Sequence, residues 1–310
     1  MMFNTTRTPV TVFESTDPGA PVLTSAEGAL KTVLKACLVT GYGTKTALGW
    51  EALSERDFEI TFRSRHEKAT KCCLVVDNKT KKNKAQVSAF LTHADALAND
   101  GNTNRFGSYA YAYIRNSNEN NRWWLIGNDR TFVFLSGAYN SIGMRFIYFG
   151  SFASAAAADN YNCVFMCSAD DSISDGMSNG TYSPFSGSTG DYYSLFAKSY
   201  DGVAVAARAG TAALGKQIDS SMRGIYPNVI SGGFSVSEIY LVERSVSGGG
   251  IRGILGGIFW GYDQMGAIPD GSKFYNIDGT SDMWLKFEMD DSSGNQNNFS
   301  CLINGTAWEI

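Results

Sequence analysis

The sequence contains two histidines, His66 and His93, which are the imidazole side chains that could transfer a proton or bind a metal. Neither lies at a metal-site spacing from a Cys, Asp or Glu. A Ser-His-Asp triad assembled across the fold stays open, but we predict no nucleophile elbow of the hydrolase kind. The sequence therefore predicts no catalytic residue, no metal site and no cofactor, and we expect that the protein is not an enzyme.

Six cysteines could in principle bind a metal or form disulfides. Adjacent side chains of a strand point to opposite faces, so Cys72 and Cys73 cannot both bind one metal. Cys163 and Cys167 are four residues apart, and no second pair accompanies them. We therefore predict free, buried thiols and leave open a disulfide between distant strands. The cysteines are Cys37, Cys72, Cys73, Cys163, Cys167 and Cys301.

Three segments have the composition of ligand-binding loops but not their spacing. Counted from Asp171, a calcium loop needs an oxygen ligand at its third position and a Glu at its twelfth, where the sequence has Ile173 and Tyr182. The glycines at 248–257 lack the Gly-Lys-Ser/Thr of a phosphate loop. The basic run at 79–84 is typical of a solvated turn, because one turn makes too few phosphate contacts for tight nucleic-acid binding.

Aromatic residues form two rows that could bind a carbohydrate or a partner protein. Tyr109, Tyr111 and Tyr113 alternate along one predicted strand, and Trp123 and Trp124 begin another. Alternating aromatic residues also form cross-strand pairs and hydrophobic cores. We favour the core interpretation and keep a binding platform as the alternative.

The composition indicates what kind of scaffold positions these residues. The 310 residues include 33 glycines, 13% aromatic residues and 18% charged residues, against about 7% glycine and roughly 25% charged residues in an ordinary domain. This balance excludes disorder and long helical structures and favours turn-rich β structure. The formal net charge of −4 argues against a nucleic-acid-binding protein. The absence of a long apolar run predicts no membrane span, and the polar start predicts no signal peptide.

We predict a mainly β protein with antiparallel sheets in a sandwich-like arrangement and one N-terminal amphipathic helix at about 25–39. Thr24 and Glu27 have capping-box spacing, apolar residues follow at helical intervals, and Gly41 is a suitable stop. The polar segment 168–192 predicts an exposed loop. Apolar runs between turn residues predict strands at 58–62, 72–76, 85–90, 123–126, 131–135, 145–149, 163–167, 192–197, 203–207, 234–242, 251–260, 273–277 and 283–289, and a terminal hairpin of 300–303 with 306–310.

The domain organisation that we predict is an extended N-terminal arm with a turn at 1–23, and a single β-rich domain with one early helix at 24–310. The turn, Asp17–Pro21, is stiff because proline fixes φ and glycine permits a tight reversal. We expect the arm to lie against another chain. The predicted partner-contact residues are Phe3, Val10, Val12, Phe13, Pro18, Gly19 and Pro21.

Four segments, in this order, resemble a family of tailed-bacteriophage virion proteins encoded among morphogenesis genes. They are Glu14–Leu23, Ala36–Trp50, Trp124–Phe132 with its Asp129-Arg130 turn, and Ile251–Trp260 with its Arg-Gly segment ending in aromatic residues. The resemblance spans most of the chain, and 14–50 is its distinctive part. The basic turn at 79–84 and the loop at 168–192 depart from the family.

The resemblance implies a structural component of the virion, made in the bacterial cytoplasm, at the neck, tail, baseplate or capsid surface. It implies contacts with other virion proteins and several copies per particle or a homo-oligomer, with no direct contact to nucleic acid. The family supplies no catalytic residues. The alternative is a baseplate or fibre-associated module that binds a host glycan or receptor.

Overall fold

The computed structural model is mainly β with antiparallel sheets, as predicted. It describes residues 6–81, 84–98, 105–106, 110–113, 121–137, 144–156, 158–167, 169–170, 181–182, 195–200, 202, 209–212, 225–230, 232–243, 250–277, 279–289 and 299–310. The predicted strand 203–207, most of the predicted loop 168–192, and Phe3 and Tyr109 lie outside these residues.

Twenty-two strands and two short α-helices are assigned among the described residues. The helices are α1 (Ala29–Lys35) and α2 (His93–Ala98). The strands are β1 (Arg7–Pro9), β2 (Thr11–Glu14), β3 (Glu51–Glu55), β4 (Glu59–Arg63), β5 (Cys73–Lys81), β6 (Lys84–Phe90), β7 (Ala110–Tyr113), β8 (Trp123–Gly127), β9 (Thr131–Ser136), β10 (Arg145–Ser151), β11 (Ala153–Ser154), β12 (Cys163–Cys167), β13 (Ala169–Asp170), β14 (Thr181–Tyr182), β15 (Leu195–Ala197), β16 (Ala209–Ala212), β17 (Val236–Glu243), β18 (Gly250–Gly261), β19 (Ser272–Tyr275), β20 (Met283–Met289), β21 (Phe299–Asn304) and β22 (Ala307–Glu309).

The strands form three large sheets and one two-stranded ribbon. The N-terminal sheet has the order β14-β13-β7-β6-β5-β4-β3, and the central sheet has the order β15-β12-β10-β9-β8-β2. The C-terminal sheet has the order β16-β17-β18-β21-β20-β19, with β11 paired to β18. The terminal ribbon joins β1 to β22. The sandwich-like prediction is therefore confirmed, with one sheet more than a simple sandwich has.

The central sheet is buried on both faces. Trp123 and Leu125 point into one core, which they share with the N-terminal sheet and α1, whereas Trp124 and Ile126 point into a second core shared with the C-terminal sheet. Continuous apolar runs are typical of strands that are covered on both sides. The uninterrupted sequences of β8 and β9 therefore place these strands in the middle layer.

The early helix is shorter than predicted and changes its hydrogen-bonding pattern halfway. The α-helix begins at Ala29, and a π-helical segment, Ala36–Thr40, continues it. Gly41 ends it as predicted, with φ 77° and its N–H donating to the carbonyl of Ala36 at 2.8 Å. The capping-box prediction is wrong, because the Thr24 hydroxyl accepts from the N–H of Ala26 in a local turn and the helix begins only after Gly28.

The second helix, α2, was not predicted. Thr92 caps it, with its hydroxyl accepting the N–H of Asp95 at 3.2 Å and donating to the Asp95 carboxylate at 2.5 Å. Thr-x-x-Asp is a capping-box spacing. The sequence therefore carried a signal for this helix, although the helix has only six residues.

The predicted terminal hairpin does not form. β21 pairs with β18 and β20, whereas β22 pairs with β1 at the other end of the chain. The carboxamide oxygen of Asn304 accepts the N–H groups of Thr306 and Ala307 at 2.8 and 3.1 Å, and the N–H of Gly305 donates to Met283. These bonds turn the chain out of the C-terminal sheet. The Asn-Gly turn was predicted correctly, but the strand after it has another partner.

Candidate interaction surface

The loop at 225–230, which lies between β16 and β17 of the C-terminal sheet, exposes three aliphatic side chains. Ile225 is 72% exposed, Val229 is 99% exposed and Ile230 is 93% exposed. Single exposed apolar residues are common on protein surfaces, whereas neighbouring ones mark interaction sites. This loop is therefore the strongest candidate for a binding surface among the described residues.

Hydrogen bonds fix the backbone of the 225–230 loop. The N–H of Ile230 donates to the Asn228 carboxamide oxygen at 2.9 Å, and the N–H of Asn228 donates to the carbonyl of Gly233 at 2.8 Å. The Asn228 amide donates to one oxygen of Asp263 at 2.8 Å, and the N–H of Ser235 donates to the other at 2.7 Å. Asp263 is buried. The buried carboxylate therefore anchors Asn228, and Ile225, Val229 and Ile230 face solvent.

An aromatic cluster supports the base of the loop. The rings of Tyr226, Phe234 and Phe274 contact one another, with centroid separations of 5.5–6.0 Å. The N–H of Tyr226 also donates to the carbonyl of Gln264 at 3.2 Å. Such ring pairs contribute about 0.5–1.5 kcal/mol each beyond the area that they bury. The base of the loop thus packs against a small hydrophobic cluster that includes Met265, Trp284 and Leu302.

A groove of about 500 Å³ runs along α1. Val22, Ala26, Ala29, Thr32 and Ala36 are among its lining residues. Val22 is half exposed at its wall. The groove falls within the size range of pockets that bind small ligands, ~300–1,000 Å³.

Five charged side chains line this groove: Glu27, Lys31, Lys35, Glu55 and Asp57. The Glu55 carboxylate accepts hydrogen bonds from Lys35 at 2.6 Å and contacts the Lys31 ammonium at 3.0 Å. The hydrogen bond from Lys35, and then that from Lys31, lowers the pKa of Glu55 below its ordinary value. Lys31 also donates to the carbonyls of Arg56 and Asp57. The triad of Lys31, Lys35 and Glu55 therefore carries a net charge of one positive unit, with two cations on one carboxylate.

The predicted partner-contact residues divide between buried and exposed positions. Phe13 is fully buried in the core between the N-terminal and central sheets, so it offers no surface to a second chain. Val10 and Val12 are partly buried against the second core. Pro18 and Gly19 are exposed, and Pro21 is partly buried.

The N-terminal segment that we expected to be an arm belongs to the sheets of its own chain. β1 pairs with β22 and β2 pairs with β8, from Thr11 opposite Gly127 to Glu14 opposite Trp124. An edge strand with an apolar anchor such as Phe13 buries its surface most readily on the nearest sheet. Residues 7–14 therefore complete this fold, and the contact predicted with another chain stays a prediction for Phe3, Val10, Val12, Pro18, Gly19 and Pro21.

The turn after β2 is locked by Asp17. Its carboxylate accepts the Tyr42 hydroxyl at 2.8 Å and the N–H of Glu14 at 2.9 Å, and it lies 3.4 Å from the Lys45 ammonium. Burial, and then the hydrogen bond to Asp17, raises the pKa of Tyr42 well above its ordinary value. Gly19 packs against the backbone of Gly43, so closely that a Cβ added at Gly19 would lie 3.3 Å from the Gly43 nitrogen. The distinctive segment at 14–50 is thus held together internally.

The residues considered for chemistry are dispersed. His66 lies in the turn before β5, and its Nδ1 accepts the N–H of Lys68 at 3.1 Å, whereas His93 begins α2. Among the described residues, no group of three His, Cys, Asp or Glu side chains could hold a metal ion. No helix within the described ranges is long and apolar enough to cross a membrane.

The sequence contains one Gly-x-Ser-x-Gly spacing, contrary to the prediction that it has no nucleophile elbow. Gly176, Ser178 and Gly180 have the Gly-x-Ser-x-Gly spacing, and they lie outside the described residues. The strands on either side, β13 and β14, pair with each other, with Ala169 opposite Tyr182. An elbow joins a strand to a helix, and the described residues include only the flanking strands.

The six cysteines are free and buried, as predicted. Burial raises the pKa of Cys73 and Cys167 to about 12. Burial, and then a hydrogen bond with Cys163, raises the pKa of Cys72 well above its ordinary value. Because the thiolate is the reactive form, these thiols are poor nucleophiles.

The tryptophans of the predicted aromatic platform are core residues. Trp123 stacks on Phe134, with a centroid separation of 6.5 Å, and Trp124 meets Phe287 edge to face at 5.3 Å. Both indoles are buried. The core interpretation is therefore confirmed for Trp123 and Trp124, and the side chain of Tyr111 lies outside the description.

Sequence analysis missed the 225–230 loop. Its signal was an uncharged stretch in which two aliphatic residues follow Pro227-Asn228, a pair typical of a turn. Apolar residues within a turn have no strand partner to cover them.

The comparison with known proteins identifies no family for this chain. No protein-family model and no curated protein matches it.

Proposed function

We propose that the protein is a structural component of a tailed-phage virion, an accessory protein of the neck, tail, baseplate or capsid surface that acts through protein–protein contacts. The observation that carries the protein-contact part is the rigid 225–230 loop with Val229 and Ile230 in solvent. The phage part is supported by the sequence resemblance, which is most distinctive at 14–50.

The fold is suited to a static contact role. The central sheet is sealed on both faces, and the terminal ribbon joins the two ends of the chain. Rigid loops on such a scaffold lose little conformational entropy when they bind. The predicted copies per particle and the contacts with other virion proteins belong to this proposal.

A host-glycan or receptor-binding module is the alternative role. Burial of Trp123 and Trp124 removes one of the two predicted aromatic rows on which a sugar ring could stack, and the side chains of the other row, Tyr109, Tyr111 and Tyr113, lie outside the described residues. A glycan-binding site would therefore have to use other residues. A glycan array probed with the wild-type chain tests this alternative, and strong selective binding would favour it.

The proposed role can be tested on particles of the phage whose genome encodes the chain. We expect gradient-purified particles to contain the protein, and a Val229→Ser/Ile230→Ser variant to be incorporated less. Leu97→Ser is the matched control, because Leu97 is also exposed, at 55%, but lies on α2. Purified particles that lack the protein would refute the proposed role. Incorporation of the loop variant at the wild-type level would refute the contact that we assign to the 225–230 loop.

Deletion of residues 1–13 is a less specific test than the loop variant. The deletion removes Phe13 from the core together with both β1 and the pairing of β2. Loss of assembly would then follow from misfolding alone. The surface substitutions keep the core intact.

A further inference from the structure

We propose that Cys72 and Cys163 are the site of an intramolecular disulfide, which forms when the chain meets a peroxide and ties the N-terminal sheet to the central sheet. Cys72 immediately precedes β5, and Cys163 is the first residue of β12. Both thiols are free and buried in the core that these two sheets share. The bond depends on the fold alone, whereas its timing, after release from the cell, rests on the proposed function.

The two cysteines lie side by side because hydrogen bonds join the segments that carry them. The Thr70 hydroxyl donates to the Asn162 carboxamide oxygen at 2.5 Å, although these residues are 92 positions apart in the sequence. The thiols of Cys72 and Cys163 are hydrogen-bonded to each other. A disulfide of about 2.05 Å between them therefore needs a movement of two side chains rather than of two sheets.

The other four cysteines occupy different parts of the fold. Adjacent side chains of an extended segment point to opposite sides, and Cys73 accordingly packs in a separate cluster. Cys167 lies on the same face of β12 as Cys163 but about 13 Å farther along the strand. Cys37 belongs to the π-helical segment, and Cys301 lies in the core on the opposite side of the central sheet.

A buried cation favours Cys72 as the first of the two thiols to react. Burial raises the pKa of Cys72, and the positive charge of the buried Lys198 acts in the opposite direction. Burial lowers the pKa of Lys198, and the negative charge of Asp95 opposes that change. Because the thiolate is the nucleophile, we assign the attack on the peroxide to Cys72. Its small thiolate fraction makes the reaction slow.

The reaction balances with hydrogen peroxide as the two-electron oxidant. The Cys72 thiolate attacks one peroxide oxygen, the O–O bond breaks, and the leaving hydroxide takes up the proton that Cys72 released, which leaves a sulfenic acid on Cys72. The Cys163 sulfur then attacks the Cys72 sulfur, the S–S bond forms, the S–O bond breaks, and water leaves with the Cys163 proton. Two thiols and one peroxide thus give one disulfide and two water molecules.

The cross-link suits a protein that is made inside a cell and acts outside it. Reducing systems keep thiols free in the cytoplasm, whereas disulfides persist in extracellular surroundings. The bond would close a loop of about 90 residues between two sheets, and it would therefore restrict the unfolded chain. We expect the oxidised chain to keep its fold and to resist unfolding better than the reduced chain.

The test treats the reduced, purified full chain with hydrogen peroxide and then blocks the remaining thiols with N-ethylmaleimide under denaturing conditions. Trypsin cuts after Lys71 and chymotrypsin after Phe165, so mass spectrometry of the unreduced peptides separates Cys163 from Cys167. Cys72 and Cys73 stay on one peptide, and substitution distinguishes them. The peptide map of the wild type tests the pairing of the two segments without any substitution.

Four single substitutions supply the test variants and their matched controls. Cys72→Ala and Cys163→Ala each remove one side of the bond, whereas Cys73→Ala and Cys167→Ala each remove a buried thiol of the same segment. The wild type and both controls should form the disulfide, and each test variant should contain at least about tenfold less of it. Circular dichroism and the thermal midpoint in reductant confirm that each variant is folded.

Two further measurements follow the consequences of the bond. Oxidation should raise the thermal midpoint of the wild type by roughly 5 °C or more, and dithiothreitol should reverse the rise. Cys72→Ala should show no such rise. In Cys163→Ala, dimedone should label Cys72, because the sulfenic acid there has lost the thiol that would resolve it.

Three results would overturn the inference. The first is a peroxide-treated wild type without a disulfide, and the second is a disulfide that joins another pair of cysteines or two chains. The third is a thermal midpoint of the wild type that stays the same or falls when the bond forms. Dimedone labelling of Cys163 in Cys72→Ala, with none of Cys72 in Cys163→Ala, would refute the order of attack.

A second arm on particles separates this inference from the proposed function. Infected cells lysed in N-ethylmaleimide should contain the reduced pair, and released particles should contain the disulfide. Particles that hold the chain with both thiols reduced would overturn the timing and leave the proposed function standing. Particles without the chain would refute the proposed function, while the bond formed in the purified chain would still stand.

Discussion

The Arg252 guanidinium joins four segments of the chain, and its loss should destabilise the fold strongly. Arg252 lies on β18 and donates to both oxygens of Asp159 at 3.0 Å, and to the carbonyl of Tyr161 at 2.9 Å. It also donates to the carbonyl of Lys198 and lies 3.1 Å from the Glu243 carboxylate. The side chains of Arg252 and Asp159 are 6% and 1% exposed.

The expected loss of folding free energy follows from the carboxylate that Arg252→Met leaves without a cation. Arg252→Met keeps much of the apolar volume but leaves the Asp159 carboxylate buried without its cation. Breaking a buried ion pair on one side costs about 3–5 kcal/mol. At about 2–4 °C per kcal/mol for a chain of a few hundred residues, we expect a thermal midpoint lower by roughly 10 °C.

Denaturation in urea, followed by tryptophan fluorescence, measures this loss. The double variant Arg252→Met/Asp159→Leu should cost less than the sum of the single substitutions, because the fully buried Asp159 carboxylate is no longer left without its cation and only the more exposed Glu243 loses its partner. Arg56→Met is the control, since Arg56 is exposed and lies 3.8 Å from Glu59; it should cost less than about 0.5 kcal/mol. A loss below about 1 kcal/mol for Arg252→Met would refute the reasoning.

Three further predictions concern packing and pH. Gly257→Ala should cost about 2–5 kcal/mol in chemical denaturation, because Gly257 has φ 73° and an added Cβ would overlap the Trp308 indole; a neutral effect would contradict this packing. Trp123→Ala should cost about 3–5 kcal/mol, since the indole is buried and donates to the backbone, and unchanged stability would restore a surface role for this residue. Because its pKa is lowered on folding, Glu55 should stabilise the fold fully above about pH 4.5 and lose this effect as the pH falls through its lower folded-state pKa. The difference in thermal midpoint between the wild type and Glu55→Gln should therefore shrink in acid, and a difference that grows in acid would contradict the sign.

The periodicity of the sequence predicts the strands better than it predicts their partners. The apolar runs at 123–126 and 131–135 correspond to β8 and β9, because burial on both faces demands continuous apolar sequence. Pairing over long distances leaves no local signal. The sequence therefore predicts that the strand after Asn304 pairs with the strand before it, whereas β22 pairs with β1.

The helix shows a second limit of sequence reasoning. The apolar spacing after Ala29 was correct, but Gly28 sets the start of the helix with φ 77°, and Leu30 donates its N–H to the buried Asn78 side chain at 3.0 Å. That bond comes from a residue 48 positions away. A tertiary partner thus replaces the local cap that the Thr24 and Glu27 spacing suggested.

Exposure of the 225–230 loop could not be predicted, because it depends on where the chain leaves its last sheet neighbour. Asn228 and Asp263 are 35 positions apart, and their hydrogen bond anchors the turn from which Val229 and Ile230 face solvent. The sequence alone places two aliphatic residues beside a turn. Such residues pack inward more often than outward.

The segments that carry the family resemblance contact one another inside the fold. The indole of Trp50 donates to the carbonyl of Asn128 at 2.9 Å, which joins the 36–50 segment to the turn at 127–130. In the 251–260 segment, Gly257 admits the ring of Trp308, and Arg252 closes the buried ion cluster. The residues that make these contacts are therefore ones that build the sheets. If partner contacts distinguish proteins that share such a scaffold, they should lie on loops outside these segments, and the 225–230 loop is in that position.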